Sequence, residues 1–253
     1  MIKAIMNGCN GRMGHVIVDI AGTDNDIEIV AGVDKFGENN YSFPTFKSLA
    51  EVDVECDVVI DFSNASGVDE LLDTCVSKNL PVVLCTTGLS EQQIAHVKEA
   101  SSKIAILKSA NMSVGVNVLM KVLKEAAKTL AGSGFDMEIV EKHHNQKLDA
   151  PSGTAMSLAE VINEAAGGDY EFVYDRSSRR EKRPKKEIGI SAVRGGTIVG
   201  DHDVIFAGTD EVITFSHRAY SRAIFGKGAV EAAKFLAGKA AGMYDMADAL
   251  YLN

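Results

Sequence analysis

The chain has 253 residues, enough for two modest domains that each bury an apolar core. Its formal net charge of −9 argues against general nucleic-acid binding. The four cysteines, at positions 9, 56, 75 and 85, have neither paired nor zinc-ligand spacing, which favours a reducing cytoplasm. Neither a signal-peptide pattern nor an apolar run of about 18 residues occurs, so we expect no export and no membrane span.

The N-terminal segment predicts a strand, a glycine turn and a helix. Residues 2–6 have the pattern of a short buried strand, GCNGRMG follows from Gly8 to Gly14, and apolar residues then recur at helical spacing. The glycines permit a tight turn, approach of a pyrophosphate and close helix packing, although GxxGxxG differs from the commoner GxGxxG. A second strand, Ile27–Val33, ends at Asp34, whose carboxylate would accept hydrogen bonds from ribose hydroxyls. This segment therefore predicts dinucleotide binding.

The choice between NADH and NADPH stays open. Asp34 would repel a 2′-phosphate, whereas Lys35 and Arg12 would attract one, so we expect use of both cofactors. Lys35 is equally well explained as a solvated surface charge.

Strands and helices alternate through the rest of the first half. Strands are predicted at 57–62, 81–85 and 104–109, and helices at 66–78, 90–102 and 114–130. This order predicts the α/β class, with a Rossmann-type doubly wound parallel sheet. Ligand groups gather at the carboxyl ends of such strands, which nominates residues 61–63, 85–88 and 109–112; ordinary turn chemistry is the competing explanation for each.

Residues 136–155, DMEIVEKHHNQKLDAPSGTA, have the features of an anion site. Apolar residues at 135, 137 and 139 alternate with acidic residues at 136 and 138, which predicts a half-buried strand. Ser152 can cap a helix that runs to about residue 166. The N–H groups of Gly153 and Thr154, with the positive end of the helix dipole and the charge of Lys147, predict an anion pocket.

The paired histidines, His143 and His144, add side chains that exchange protons near neutral pH. A metal site is the weaker interpretation, because HExxH spacing, CxxC spacing and a carboxylate at ligand spacing are all missing. A solvated loop with incidental histidines is the alternative that composition alone would favour.

The second half changes character after this site. Residues 175–187 carry seven basic side chains, which predicts an exposed, solvated loop that could steer an anionic substrate. Strands at 188–193, 198–207 and 211–219, separated by glycine turns, predict antiparallel pairing. A helix from about residue 228 to 236 is expected to pack back on the first domain.

Five motifs, in this order, resemble the dihydrodipicolinate reductase family of the lysine and diaminopimelate pathway. They are GCNGRMG, SANMSVGVN, EKHHNQKLDAPSGTA, VRGGTIVGDH and SHRAYSRAIFGKGA. The HHxxKxDAPSGT run is highly specific, whereas many dehydrogenases share the glycine turn. The resemblance covers nearly the whole chain.

This resemblance implies that the protein reduces 4-hydroxy-tetrahydrodipicolinate to tetrahydrodipicolinate with NADPH or NADH. By similarity, His143 and Lys147 are proton donors, and His144, Gly153 and Thr154 bind a substrate carboxylate. The implied cofactor contacts are Gly8, Cys9, Asn10, Gly11, Arg12, Met13, Asp34, Lys35, Cys85, Thr86, Thr87, Ser109, Ala110, Asn111 and Met112.

The resemblance also implies a domain organisation and a partner set. A dinucleotide-binding domain would comprise residues 1–113 and 224–253. Residues 114–223 would form a substrate-binding α+β domain whose open mixed sheet builds a homotetramer. The expected partner is a small dicarboxylate substrate, with no nucleic acid, membrane or metal.

Two departures from the family pattern are expected to tune cofactor affinity. Cys85 stands where the family loop begins with glycine, and Met112 stands where phenylalanine is common. Two rival functions remain: another two-domain dehydrogenase of an amino or keto acid, and a nonenzymatic NAD(P)H sensor. The first would not need the His-His-Lys and Ser-Gly-Thr groups, and the second would not need His143 or Lys147.

Overall fold

A computed structural model describes residues 1–36 and 41–251 of the chain. The chain divides into two compact units, one formed by the residues up to Val114 with those from Ala223 onward, the other by Gly115–Arg222. Each boundary lies one residue from the predicted one. The role assigned to each unit stays a prediction.

The first unit is built on a seven-stranded parallel sheet. Its strands are β1 (Ile2–Asn7), β2 (Ile27–Val33), β3 (Thr45–Phe46), β4 (Val58–Asp61), β5 (Val82–Leu84), β6 (Ala105–Leu107) and β12 (Gly242–Tyr244). Their order is β12-β6-β5-β4-β1-β2-β3, so the chain moves outward from β1 in one direction and from β4 in the other. The predicted doubly wound sheet is confirmed, and its switch point lies between β1 and β4, where such folds bind ligands.

Helices cover both faces of this sheet. They are α1 (Arg12–Ala21), α2 (Val68–Lys78), α3 (Glu91–Ser101), α6 (Ala223–Leu236) and α7 (Met246–Ala249). Alternate residues of β1 enter two separate cores: Ala4 and Met6 pack with α1 and α6, whereas Ile5 packs with α2 and α3. The continuous apolar run of β1 therefore reflects burial on both faces.

Two predicted helix ends of this unit, the end of α2 and the start of α3, are confirmed. A capping box joins Ser90 and Gln93 at the start of α3, and Asn79 ends α2 in the left-handed region with a φ of 53°. The prediction for α6 is wrong at its start, because the helix begins at Ala223 and not at Gly228. A Cβ at Gly228 would lie 1.6 Å from the carbonyl oxygen of Met112, so this glycine permits close packing inside the helix.

The second unit combines a five-stranded mixed sheet with two helices. The strands are β7 (Asp136–His143), β8 (Glu171–Val173), β9 (Glu187–Arg194), β10 (Gly200–Ala207) and β11 (Val212–Ala219), and the helices are α4 (Val114–Leu130) and α5 (Gly153–Ala165). Leu123, Leu158 and Phe206 belong to the core between them. The predicted alternation along β7 is confirmed, since Met137 and Ile139 are fully buried in this core.

The antiparallel pairing predicted for the three strands at 188–193, 198–207 and 211–219 is only half correct. Strands β10 and β11 pair antiparallel, as predicted. Strands β9 and β10 do not pair, because β7 lies between them in the order β11-β10-β7-β9-β8 and is parallel to β9. The Gly195-Gly196 turn therefore crosses the end of β7, where Gly195 donates from its backbone to the His143 carbonyl oxygen at 2.9 Å.

The basic segment that precedes β9 lacks helix and strand between 175 and 186, but its arginines are not simply solvated. Arg176 makes two hydrogen bonds of 2.9 Å to Glu138, and Arg183 binds the same carboxylate at 2.9 Å. Arg179 pairs with the buried Glu187. The predicted exposed loop is confirmed, but these three arginines are partly buried and paired with carboxylates, so they are not simply solvated as expected.

Strands β3, β8 and β12 and helix α7 were not predicted, since each is too short for a periodic pattern. None of the helices within residues 1–36 and 41–251 combines the length and the apolarity that a membrane crossing requires.

Candidate active site

The glycine turn between β1 and α1 is shaped by close backbone contacts. Gly8 has a φ of +84°, and a Cβ there would lie 2.4 Å from the Phe62 carbonyl oxygen. A Cβ at Gly14 would lie 2.3 Å from the carbonyl oxygen of Gly8. Gly11 is the N-cap of α1 and is exposed, so the helix N-terminus opens outward. Only glycine fits at positions 8 and 14. The backbone nitrogens of residues 8–11 already donate to Val33, Asp34 and Gly8, so the donors that an anion could use are those of the first turn of α1.

Asp34 is tied to this turn by its carboxylate. It accepts hydrogen bonds from the backbone nitrogens of Asn10, at 3.0 Å, and Phe36, at 2.9 Å. Each oxygen keeps a further acceptor position. Lys35 is exposed and pairs with Glu70 at 3.2 Å.

A cavity of about 360 Å³ brings several of these residues together. Gly8, Gly11, Asp34 and Lys35 line it, along with Ser63 after β4. It also has lining residues that the sequence did not nominate, among them Lys47 and Ser48, which follow the unpredicted strand β3. The predicted contacts at 85–87 and 109–112 are not part of this cavity.

The loop after β5 is held in place by a hydrogen bond to a buried carboxylate. Asp61 is fully buried, which raises the pKa of its carboxyl, and it accepts from Asn7 Nδ2 at 2.7 Å and Thr86 Oγ1 at 2.6 Å. The Thr86 hydroxyl also accepts from the backbone nitrogen of Ser63 at 3.1 Å, so it is turned inward. Thr87 is exposed and Cys85 is half-buried. Thr86 therefore contributes structure through its side chain, Cys85 packs against the core, and Thr87 is exposed to solvent.

Residues 109–112 form the turn that enters α4. Asn111 Oδ1 accepts from the Ser113 backbone nitrogen at 2.8 Å. Met112 is buried in the core with Ala229 and Val230, whereas Ala110 is exposed. Met112 thus has a packing role that the sequence did not indicate. Cys9 is also buried, and burial raises the pKa of its thiol to about 11, which leaves it unreactive.

The second cluster begins on the buried face of β7. This face continues past Met137 and Ile139 to Glu141 and His143. Glu141 is fully buried and His143 is 8% exposed. His143 Nδ1 lies 2.7 Å from Glu141 Oε2. A Cβ at Gly200 would lie 2.9 Å from His143 Nε2, so glycine at this position makes room for the imidazole.

The N-terminus of α5 lies next to this pair. Ser152 is the N-cap, and its Oγ accepts from the Ala155 backbone nitrogen at 3.1 Å, as predicted. No atom of the described residues would meet a Cβ at Gly153 within 4 Å. Packing within the described residues therefore does not require glycine at this position.

Lys147 and His144 occupy the loop between β7 and α5. Lys147 Nζ pairs with Asp149 Oδ1 at 2.8 Å, and this hydrogen bond lowers the pKa of the Asp149 carboxyl. Asp149 is 59% exposed, so the pair is weak and can be exchanged for another carboxylate. His144 is half-buried, and its carbonyl oxygen accepts from the Lys147 backbone nitrogen at 3.2 Å.

Two residues of this cluster were missed by the sequence reasoning. His202 on β10 places Nε2 3.0 Å from Ser152 Oγ, and its ring lies edge-on to His143 with centroids 5.2 Å apart. Arg194 at the end of β9 binds Glu141 with two hydrogen bonds of 2.8 Å. Both come from strands whose contact with β7 the sequence did not reveal. Among the residues that the structure describes, no three His, Cys, Asp or Glu side chains are grouped to hold a metal ion.

Burial of His202 predicts a pH-dependent stability. Burial, with His143 nearby, lowers its pKa from 6.5 to about 4, so the native state holds it neutral. This contribution to the free energy of unfolding is complete above pH 6.5 and is lost as pH falls toward 4; its size is about 3 kcal/mol. As the pH falls from 6.5 to 4, we expect the free energy of unfolding to decrease less in His202→Gln than in the native chain. Urea unfolding measures this difference.

His96 provides the matched control, because hydrogen bonding to Asp69 raises its pKa. Its contribution therefore has the opposite slope, being present at low pH and lost as pH rises. If the free energy of unfolding changed with pH equally in the native chain and in His202→Gln, the lowered pKa of His202 would be contradicted.

Sequence comparison places these two clusters in one family. The family described as "Dihydrodipicolinate reductase, N-terminus" matches residues 2–112, and "Dihydrodipicolinate reductase, C-terminus" matches residues 115–250. The chain belongs to the dihydrodipicolinate reductase family. The family matches cover both the glycine turn and the histidine cluster.

Individual relatives agree with this assignment. The 4-hydroxy-tetrahydrodipicolinate reductase of Caldanaerobacter subterraneus subsp. tengcongensis is 54% identical over 250 residues, covering 98% of each chain. That of Clostridium tetani is 51% identical and covers 97% of this chain and 96% of its own. A solved dihydrodipicolinate reductase from Paenisporosarcina sp. TG-14, bound to dipicolinate, matches with a TM-score of 0.82, 25% identity and 98% coverage of both chains.

Proposed function

We propose that this reductase-family chain uses NADH or NADPH to reduce 4-hydroxy-tetrahydrodipicolinate to tetrahydrodipicolinate, with His143 and Lys147 donating protons. The observation that carries the proposal is the cluster at the end of β7. There a buried His143 backed by a carboxylate lies in the same short segment as Lys147 and the N-terminus of α5. The family's curated relatives carry the same reaction in their names.

The first unit fits a dinucleotide. A Cβ at Gly8 or Gly14 would collide with backbone oxygens, so only glycine allows this tight turn. The carboxylate of Asp34, beside the turn, can still accept further hydrogen bonds. The proposed holding residues are Gly8 to Met13, Asp34, Lys35, Cys85 to Thr87 and Ser109 to Met112. When bound, the cofactor supplies the hydride that reduces the ring.

His143 and Lys147 handle the proton that the reduction requires. The C4 hydroxyl of the substrate leaves as water, together with a hydrogen of the neighbouring ring carbon, which gives a conjugated cyclic imine. Addition of hydride to C4 of this imine pushes an electron pair toward C3 and the ring nitrogen, and this pair must be protonated. A positioned imidazolium or ammonium donates that proton and stabilises the developing negative charge, effects worth about 10² to 10⁴ in rate for a positioned acid.

The substrate is a dianion, and the α5 N-terminus suits its carboxylates. His144, Gly153 and Thr154 would hold one carboxylate at the positive end of the helix. Lys147 can leave the exposed Asp149 for a substrate carboxylate, because the existing ion pair is weak. Binding of dipicolinate to the Paenisporosarcina relative supports a small planar dicarboxylate as the ligand.

Dipicolinate also provides a direct test of this site. We expect it to inhibit competitively with the substrate, because both carry two carboxylates on one ring. Replacing Thr154 by Val is expected to weaken dipicolinate binding, as measured by calorimetry, whereas Thr129→Val on α4 should leave it unchanged. Noncompetitive inhibition, or equal affinity in the two variants, would contradict the proposed carboxylate site.

Asp34 is expected to decide between the two cofactors. Asp34→Asn removes the negative charge that favours ribose hydroxyls and repels a 2′-phosphate. We expect NADH affinity to fall about tenfold, within the range for a hydrogen bond to a charged group, while NADPH affinity falls less. Fluorescence titration with both cofactors measures this, with the exposed Asp19→Asn as control. An equal loss for both cofactors would contradict the role.

We further propose a homotetramer in the cytoplasm. One face of the second sheet packs on α4 and α5, while residues such as Val193 and Val212 are exposed and available to another copy. All four cysteines are free thiols, as a reducing compartment permits. Light scattering of the purified chain tests the assembly, and a monomeric mass would exclude it.

A further inference from the structure

Glu141 has a more specific place in the cluster than that of a buried ion-pair partner. It lies two residues before His143, so the two side chains share one face of β7. Four hydrogen bonds reach its carboxylate: from His143 Nδ1 at 2.7 Å, from Arg194 Nη1 and Nη2 at 2.8 Å each, and from the Ser152 backbone nitrogen at 2.9 Å. All four principal acceptor positions of the carboxylate are thereby used.

These contacts keep Glu141 ionised although it is fully buried. Burial alone would raise the pKa of the carboxyl, but the hydrogen bonds from Arg194, His143 and Ser152 together lower it. The bidentate guanidinium also supplies the compensating charge that a buried carboxylate needs. An ionised carboxylate only accepts hydrogen bonds, so His143 Nδ1 must carry the proton between them.

The other ring nitrogen of His143, Nε2, remains available to donate a proton. Among the described residues, His143 Nε2 has no hydrogen-bond partner, and this atom is not completely buried. It therefore keeps contact with solvent although the residue as a whole is 8% exposed. Gly200 leaves the space in which this edge of the ring lies.

We propose that Glu141, held by Arg194, is a positioning residue that fixes the tautomer of His143 and makes Nε2 its proton-donating atom. The inference rests on the proposed function, in which His143 donates a proton to the reduced ring. The N–H bond at Nε2 breaks as the new bond to the substrate forms, and the electron pair of that N–H bond stays on the imidazole. The neutral ring retains its Nδ1 proton and its hydrogen bond to Glu141, and Nε2 then takes a proton from solvent.

Arg194 extends the same arrangement to the rest of the site. Besides its two bonds to Glu141, it donates from Nη2 to the Asp149 carbonyl oxygen at 2.6 Å. Glu141 in turn accepts from the backbone of Ser152, the N-cap of α5. One carboxylate–guanidinium pair thus fixes His143, the loop that carries Lys147 and the start of the anion-binding helix. The Glu141–Arg194 pair therefore couples the charge and geometry of His143, of the Lys147 loop and of the α5 N-terminus.

A Glu141→Gln variant tests the role of the charge. We expect kcat to fall by at least about tenfold, because the imidazolium loses its stabilising carboxylate. KM should rise as well, because Glu141 also accepts from the backbone of Ser152 at the start of the proposed carboxylate-binding helix. The alkaline limb of the pH–rate profile should move to lower pH by about one unit or more. Glu138→Gln is the matched control, since Glu138 lies on the opposite face of β7 and also binds arginines. Its profile should match the native one, and an unshifted profile in Glu141→Gln would overturn the inference.

The tautomer can be measured in the native chain, which keeps the test valid if Glu141→Gln does not fold. Nitrogen-15 NMR of labelled histidine should show neutral His143 protonated at Nδ1, with Nε2 bare. A proton at Nε2 in the neutral ring would overturn the inference whatever the variants do. Because this measurement needs no turnover, it separates the inference from the proposed function, whose failure would appear as an inactive native chain.

Discussion

Replacing Lys147 by methionine is expected to lower kcat by about 10² to 10⁴ while leaving cofactor affinity unchanged. The variant removes the ammonium that we propose as a proton donor and as a partner of the substrate carboxylate, so KM should also rise. Cofactor affinity should be retained, because the glycine turn and Asp34 belong to the other unit of the chain. Steady-state kinetics and NADH titration measure the two quantities separately.

Lys142→Met is the matched control for this loss. Lys142 is five residues away and pairs with Asp203 at 2.7 Å, on the side of β7 opposite to His143. Its replacement changes net charge equally but leaves the proposed donors in place, so kcat should stay near the native value. Native-like turnover in Lys147→Met would remove Lys147 from the mechanism.

Replacing Gly14 by alanine is expected to abolish measurable cofactor binding and to destabilise the first unit. The new Cβ would lie 2.3 Å from the Gly8 carbonyl oxygen and 2.4 Å from that of Cys9, both of them backbone atoms. Helix α1 must then move away from the turn that we propose holds the pyrophosphate. Overpacking of this kind costs about 1–3 kcal/mol or more. Thermal unfolding and NADH titration measure the two effects.

Gly22→Ala, at the other end of α1, is the control for this substitution. Its Cβ would meet only ordinary contacts, at 3.4 Å and 3.6 Å, and Gly22 already has helical dihedral angles. Alanine should therefore be neutral or slightly stabilising. Native affinity for NADH in Gly14→Ala would contradict the proposed use of the turn.

Local patterns explain why much of the first unit was predictable. The spacing of Gly8, Gly11 and Gly14 and the position of Asp34 depend on a turn between neighbouring elements. The structure brings Gly8, Gly11 and Asp34 to one cavity. The N-cap at Ser152 is equally local, since its partner is three residues away. Periodicity within such segments is a property of the sequence itself.

Features that depend on distant pairing were not predictable in the same way. The position of β7 between β9 and β10 depends on long-range strand pairing, so turn chemistry at Gly195 favoured a hairpin that does not form. Arg194 reaches Glu141 across 53 residues of sequence for the same reason. One usable signal was present: the alternation that began at Met137 continues to Glu141, a carboxylate at a buried position, which requires a partner.

Gly228 illustrates a different limit. A glycine near a helix start suggests a boundary, but here its purpose is contact with the Met112 carbonyl oxygen inside α6. The residue that requires the glycine lies more than a hundred positions earlier in the chain. Propensity alone therefore misplaced the start of the helix.

The most direct test of the central claim is cofactor oxidation by the native chain with freshly prepared 4-hydroxy-tetrahydrodipicolinate. We predict turnover with NADH and with NADPH that requires the substrate and is inhibited by dipicolinate. Cofactor binding without any substrate-dependent oxidation would contradict the reductase function and would favour a nonenzymatic role in NAD(P)H binding.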